Sequence, residues 1–419
     1  MSKVVCPYCF ESFKSNEVLF RCSNLTGCTK SKDDALSIFW GSYQPETPFF
    51  KGRSRLLRIP MEDQKSQSFF RRFWLKYLSM APDSADCPNC HKKTHWVICP
   101  HCHNRIPKQM VKKKGYIISI IGARNSGKTN YITTLINELG NNGACLGNIG
   151  VVAVNVASKP ENNTQVRYER DFFEFVYKKK TVAQHTDIND KRSRIPLIYE
   201  ISRKRKKPLY LVIYDTAGEN FEDPHNIATN AKFLQQSDAC IYLLDTFAIP
   251  YVHDKLKTKF ALPNIELLFD TIVHNIISFF EQGDNKAKKK QYKKPMALVL
   301  SKVDSILTNE DLFKDTSIEG MSLEQNSSFL DGSGVNPDEI DSMSASIRGA
   351  LHSWGADNFI NNIENHYQRV HYFGISALGG MPDKNNNIQN LRPYRVLDPL
   401  VWILNEFDYS LPMSQKVKP

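Results

Sequence analysis

Beyond residue 115 the chain alternates between two apolar patterns. Runs at 116–121, 209–214, 237–245, 296–300 and 370–375 are mostly apolar at successive positions, as strands covered on both faces are. Between and after them the spacing turns helical, at 130–139, 262–280 and 396–404. In the second of these Ile265, Leu268, Phe269, Ile272, Val273, Ile276 and Phe280 fall on one face, predicting a long amphipathic helix turned to the core. The alternation predicts an α/β fold, a mostly parallel sheet with helices on both faces. Residues 195–202 and 209–214 read as a hairpin whose basic tip, 203–208, lies at the opposite end of its strands from Asp215. The Ser-, Asn-, Asp- and Gly-rich stretch 309–346 predicts a mobile acidic loop. Ahead of the sheet, residues 68–78 place Phe69, Phe70, Phe73, Trp74 and Tyr77 on one helical face opposite basic residues, as a packing helix would.

Composition bounds the class. With 419 residues, 41% of them hydrophobic, the chain has room for two or three domains and a full core. It contains no run of eighteen apolar residues, and its first residues lack the apolar core of a signal peptide, so a cytoplasmic location is expected. The net charge of +11 is gathered in short clusters at 112–114, 203–207 and 286–294. Without a nucleic-acid reader motif these read as solvated loops, and nucleic acid is not the favoured partner.

Eight of the ten cysteines precede residue 103. In a reducing compartment paired Cys-x-x-Cys knuckles read as zinc ligands, because thiolates on a tight turn suit a tetrahedral ion. Cys87, Cys90, Cys99 and Cys102 have the spacing of one Cys₄ site, and Cys6, Cys9, Cys22 and Cys28 supply a second. Spacing leaves open a cross-braced arrangement in which early and late knuckles exchange ligands. His91, His95, His101 and His103 read as bystanders, since four cysteines per site already satisfy each ion. Two Zn²⁺ ions in closed sites would stabilise the fold and leave no position for catalytic water. The expected domains are a β-rich zinc-ribbon region at 1–108, with the aromatic helix between its sites, a basic linker at 109–115, a nucleotide-binding domain at 116–410 and a tail at 411–419.

The chemistry sits at the ends of the apolar runs. Gly122-Ala123-Arg124-Asn125-Ser126-Gly127-Lys128-Thr129 is a complete G-x-x-x-x-G-K-[ST] phosphate loop, directly behind the first strand. Its glycines let backbone N–H groups turn inward on phosphates, Lys128 reaches the terminal phosphates, and Thr129 offers a hydroxyl to Mg²⁺. The run ending at Tyr214 leads into Asp215-Thr216-Ala217-Gly218-Glu219, a carboxylate for the metal followed by a glycine N–H for the γ phosphate. A later run ends in Ser301-Lys302-Val303-Asp304. Asp304 can accept both donors of guanine, a pair adenine lacks, while the aliphatic stem of Lys302 covers the ring. After the last run, an amide of Ser376-Ala377-Leu378 can meet the guanine carbonyl.

With GARNSGKT, DTAGE, SKVD and SAL in this order over roughly residues 116–405, the chain resembles the Ras-like, translation-factor-related (TRAFAC) P-loop GTPases. The resemblance implies a G domain, GTP and Mg²⁺ as ligands, hydrolysis of the γ phosphate, and protein partners acting on switch loops or the zinc ribbons. Lys128, Thr129, Asp215, Gly218 and Glu219 would serve the phosphates and metal, and Ser301, Lys302, Asp304, Ser376 and Ala377 the base. The zinc knuckles ahead and the closing segment 396–404 are similar in layout to the bacterial double-GTPase group, which implies a role in conflict or antiviral defence. Two departures change the expected chemistry. Ser301 stands where the family has Asn and would make one polar contact with the phosphate loop where Asn makes more, so base selectivity is relaxed, and Glu219 stands where the family positions water with Gln, so intrinsic hydrolysis is slow. The switch threonine is sought among Thr164, Thr181 and Thr186, with Thr186 preferred. Two other functions fit the same residues: a zinc-ribbon scaffold that holds GTP without hydrolysing it, and a nucleic-acid-stimulated ATPase.

Overall fold

The computed structural model describes residues 3–51, 83–112, 116–123, 125–156, 160–183, 195–204, 209–214, 235–260, 291–409 and 411–414. The helices read from sequence at 68–78 and 262–280 lie outside them, as do Arg124, Thr186, Asp215, Gly218 and Glu219. The chain divides into two compact units, Met1–Gly115 with Val154–Asn163, and Tyr116–Ala153 with Thr164–Pro419.

The smaller unit is β-rich. Its centre is a three-stranded antiparallel sheet in the order Phe49–Lys51, Leu19–Arg21, Trp96–Ile98, with two-stranded ribbons on its knuckles. The short helix Asp34–Trp40 starts on Asp33, whose carboxylate accepts the Leu36 N–H, and stops at Gly41 in the left-handed conformation. Asp33 also holds the buried guanidinium of Arg21 and Nδ1 of His103 at 2.7 Å, and these bonds hold its carboxyl below the ordinary range despite burial. The segment read as a basic linker is in part the helix Lys108–Lys112, which buries Met110 and Val111 while Lys108 and Lys112 pair with Asp83.

The larger unit is an α/β domain on one seven-stranded sheet. Its strands are β1 (Tyr116–Gly122), β2 (Gly150–Ala153), β3 (Leu197–Ser202), β4 (Leu209–Ile213), β5 (Ala239–Asp245), β6 (Met296–Ser301) and β7 (Val370–Gly374), in the spatial order β2-β3-β4-β1-β5-β6-β7. Pairs from β4 through β7 are parallel, and β2, β3 and β4 form an antiparallel meander. Helices α1 (Lys128–Asn141), α2 (Pro337–Ser353), α3 (Asp357–His366) and α4 (Asp398–Glu406) cover both faces. Alternate residues explain how: Ile118, Ile120, Ile241, Leu243 and Val299 pack with Tyr131 and Leu135 of α1 and Leu400, Val401 and Leu404 of α4. On the other face Tyr242 meets Phe359 of α3, and the Tyr372 backbone N–H is held by Ser344 of α2. Each such fully buried Leu or Ile stabilises the fold by roughly 1.5–3 kcal/mol.

One expectation is corrected here. The stretch 309–346 is not a mobile loop, because it buries Leu312, Ile318, Leu323, Phe329 and Val335 and then enters α2, capped by Asn336 and opened by Pro337. Its polar composition is that of tight turns, whose side chains bond neighbouring backbone. In the segment after the last helix Leu411 is buried, the Val335 N–H donates to the Pro412 carbonyl, and the Ser414 N–H donates to the Val335 carbonyl.

Candidate functional site

Four adjacent parallel strands bring the sequence motifs to one sheet edge. Register sets this, since Gly122 pairs with Leu243, Asp245 with Ser301 and Leu300 with Gly374, so β1, β5, β6 and β7 end together. β4 runs parallel to β1, so Tyr214 lies at the same edge, while Asp215, Gly218 and Glu219 are outside the described residues.

The phosphate loop has the geometry its glycines allow. Gly122 has a φ of 155°, and a Cβ there would lie 2.4 Å from the Leu243 carbonyl oxygen and 2.7 Å from Ser126 Oγ. Gly127 caps α1 in the left-handed conformation with φ 85°, and Asn125 adopts φ 64°. Lys128 is folded back so that its ammonium donates to the carbonyls of Gly122 at 2.8 Å and Ala123 at 2.9 Å. Ser126 Oγ is fully buried and has no hydrogen-bond partner. A cradle that a Cβ would fill, an orphaned hydroxyl and a cation resting on carbonyls fit a bound phosphate. Gly122→Ala is expected to cost at least tenfold in nucleotide affinity by calorimetry and to lower the melting temperature, because the clash is with backbone that cannot rotate away.

At the base end the structure alters two expectations. Ser301 does not reach the phosphate loop; it is buried and its Oγ donates to the Leu244 carbonyl at 3.2 Å. Lys302 sits in the left-handed region at φ 59°, with its ammonium 2.7 Å from Asp245 Oδ2 and 5.2 Å from the centre of the Phe247 ring. Asp304 is half-buried, and burial raises its pKa against a bond from Ser376 that favours the charged form. The Ser376 N–H is committed to the Tyr394 carbonyl at 3.2 Å, which leaves the amides of Ala377 and Leu378 from that motif to meet a base. Asp245 was missed in the sequence, and the signal was a carboxylate closing a buried strand next to the strand that carries Lys302. Of the threonines, Thr164 is buried and accepts the Ile198 N–H, and Thr181 bridges Asn387.

The smaller unit gathers its eight cysteines into two groups, Cys6, Cys9, Cys99 and Cys102, and Cys22, Cys28, Cys87 and Cys90, each with sulfurs within 4.8 Å of one another. This is the cross-braced arrangement, and it replaces the pairing of Cys87 and Cys90 with Cys99 and Cys102. The strand register is the cause: Leu19 pairs with Ile98 and Arg21 with Trp96, so Cys22 and Cys99 leave opposite ends of an antiparallel ladder. Sulfur separations of 3.7 Å for Cys6–Cys102, 3.8 Å for Cys9–Cys99, 3.5 Å for Cys22–Cys90 and 3.8 Å for Cys28–Cys87 fit the edge of about 3.8 Å that a tetrahedron with Zn–S bonds of about 2.3 Å requires. Three Cys-Pro-x-Cys knuckles repeat one geometry, with Phe10, His91 and His103 at φ 55–59° and their N–H groups returned to the first cysteine carbonyl. Backbone N–H groups of Tyr8, Asn24 and His101 point at Cys6, Cys22 and Cys99 sulfurs, as donors to thiolates do. Both groups consist of cysteine alone, and two zinc ions fit them.

No family model matches the chain. Among curated proteins it is 22% identical over 424 residues, 97% of this chain and 99% of the other, to the Mycolicibacterium smegmatis protein named "Putative ESX-1 scaffolding and assembly protein SaeC". Solved structures similar to it include Methanosarcina barkeri Roco2 RocCORdC bound to GDP (TM-score 0.26, 12% identity, 73% of this chain and 52% of that one). The S. cerevisiae Ski7 GTPase-like domain bound to GTP scores 0.29 at 12% identity over 64% of this chain and 46% of that one. The signal recognition particle receptor SRb-GTP/SRX complex from Chaetomium thermophilum scores 0.27 at 14% identity over 64% and 94%. The chain spans about half the length of the first two structures. Among the described residues no helix is long and apolar enough to cross a membrane.

Proposed function

We propose that the larger unit binds GTP with Mg²⁺ and hydrolyses it slowly, and that the smaller unit, held by two Zn²⁺ ions, docks a protein partner that reads the nucleotide state. The carrying observation is the convergence of the phosphate loop, Lys302, Asp304 and Ala377 at the ends of four adjacent parallel strands. In this reading the loop amides of residues 123–129 cradle the phosphates and Lys128 exchanges its two carbonyl bonds for phosphate oxygens. Thr129 and Asp215 would hold the metal, whose charge would stabilise the leaving phosphates, and Gly218 would meet the γ phosphate. Glu219 repels that phosphate where a neutral amide would orient water, which keeps turnover slow without a partner. A place in bacterial defence rests on motif layout alone.

Base choice tests the reading. GTP should bind the purified protein at least tenfold more tightly than ATP. Asp304→Asn should lower GTP affinity about tenfold, because the new amide sets a donor against a guanine N–H at a cost of roughly 1–3 kcal/mol. Xanthosine triphosphate, with an acceptor at C2, should gain affinity for that variant. The raised pKa of Asp304 adds a pH signature: acidification protonates it before an ordinary aspartate, so GTP affinity should fall with pH above the usual carboxylate range. Tight ATP binding by the unmutated chain would move the assignment to an ATPase. A second reading, a scaffold that retains GTP unhydrolysed, is favoured by the name of the M. smegmatis relative, which matches over nearly its full length. Single-turnover hydrolysis with radiolabelled GTP separates the two.

A further inference from the structure

We infer that Asp245 is a positioning residue for nucleobase recognition: it anchors the ammonium of Lys302 so that the aliphatic stem is held as a platform for the purine. This deepens the GTP-binding reading and rests on it. Asp245 ends β5, and its side chain is nearly buried, 11% exposed. One oxygen accepts the Phe247 N–H at 3.1 Å, which orients the carboxylate, and the other meets Lys302 Nζ at 2.7 Å. The Phe247 ring lies 5.2 Å from the same ammonium, within cation–π range.

Lys302 needs such an anchor because its backbone is left-handed, a strained conformation for a non-glycine residue that persists only where the surroundings determine it. Other bonds lock the same corner: Ser301 Oγ donates to the Leu244 carbonyl, and Thr246 Oγ1 donates to the Ser301 carbonyl. The preceding residue, Leu243, offers the carbonyl against which Gly122 packs. The end of β5 therefore aligns the phosphate loop on one side and the base motif on the other. With its charge met by Asp245, Lys302 contributes to the base chiefly through its stem. This suits a chain in which Ser301, spent on Leu244, cannot brace the phosphate loop as an Asn could.

The experiment measures GTP and inorganic triphosphate affinity, both with Mg²⁺, for the full chain and for Asp245→Asn, Asp245→Glu, Lys302→Met and the double variant Asp245→Asn/Lys302→Met. Asp245→Asn should weaken GTP about tenfold and leave inorganic triphosphate, which touches only the phosphate loop, within twofold. Asp245→Glu should recover part of the loss, and the double variant should lose less than the two single losses combined, since each single variant orphans its partner's charge and the double variant orphans none. Equal losses for GTP and triphosphate would show that Asp245 merely supports the fold, and unchanged GTP affinity in Asp245→Asn would also overturn the inference. Failure of the unmutated protein to bind GTP would instead remove the parent reading.

Discussion

Lys128→Ala should reduce GTP affinity by at least a hundredfold while leaving the zinc content and the melting of the cysteine-rich unit unchanged. The ammonium of Lys128 is nearly buried, resting on the Gly122 and Ala123 carbonyls, and in the proposed reading it turns from them to the phosphates. The empty loop loses two bonds to neutral carbonyls, whereas a bound triphosphate loses a charge-assisted contact inside a partly desolvated cradle. A hundredfold loss corresponds to about 2.7 kcal/mol. Calorimetric titration with GTP, paired with elemental zinc analysis, checks both halves. Retained affinity would show that this loop is a glycine-rich helix cap and nothing more.

The second large effect concerns the cross-brace. Cys99→Ser should release one of two zinc ions and expose Cys6 and Cys9 to alkylation, while Cys22, Cys28, Cys87 and Cys90 stay protected. Cys87→Ser should do the reverse, opening Cys22 and Cys28. Structural zinc contributes about 10–16 kcal/mol of apparent binding free energy in small domains, so loss of either ion should also drop the melting temperature of the unit sharply. Mass-spectrometric mapping of alkylated cysteines reads the connectivity directly. If Cys99→Ser instead exposed Cys87 and Cys90, each knuckle pair would be sharing an ion with its neighbour in sequence, and the antiparallel register of Leu19–Arg21 with Trp96–Ile98 would be wrong.

The motifs were legible because their chemistry is local. A phosphate loop needs glycines, a lysine and a hydroxyl within eight residues, and a zinc knuckle needs two cysteines three positions apart, so both are written in consecutive letters. The buried strands were legible for a related reason, since a parallel sheet covered on both faces demands long apolar runs, and β1, β4, β5 and β6 appear within a residue or two of those runs. The strand β2 escaped notice because it is short and at the sheet edge, with Val152 largely exposed. The order in 309–346 escaped because turn residues look the same whether a loop is free or packed, and only its five buried apolar side chains distinguish the cases.

What the sequence determined by itself was therefore the inventory: eight thiol ligands, a phosphate-loop motif, an Asp just past a buried strand and the α/β class that displays them. Which knuckles share an ion was decided by the antiparallel register that sends Cys22 and Cys99 to opposite ends of one ladder. That Lys302 finds Asp245, fifty-seven positions earlier, was decided by the parallel pairing of β5 with β6, which sets Asp245 beside Ser301. Both are contacts between residues distant along the chain, and no local propensity encodes them; they exist only once backbone hydrogen bonding has chosen a strand's neighbour and its offset.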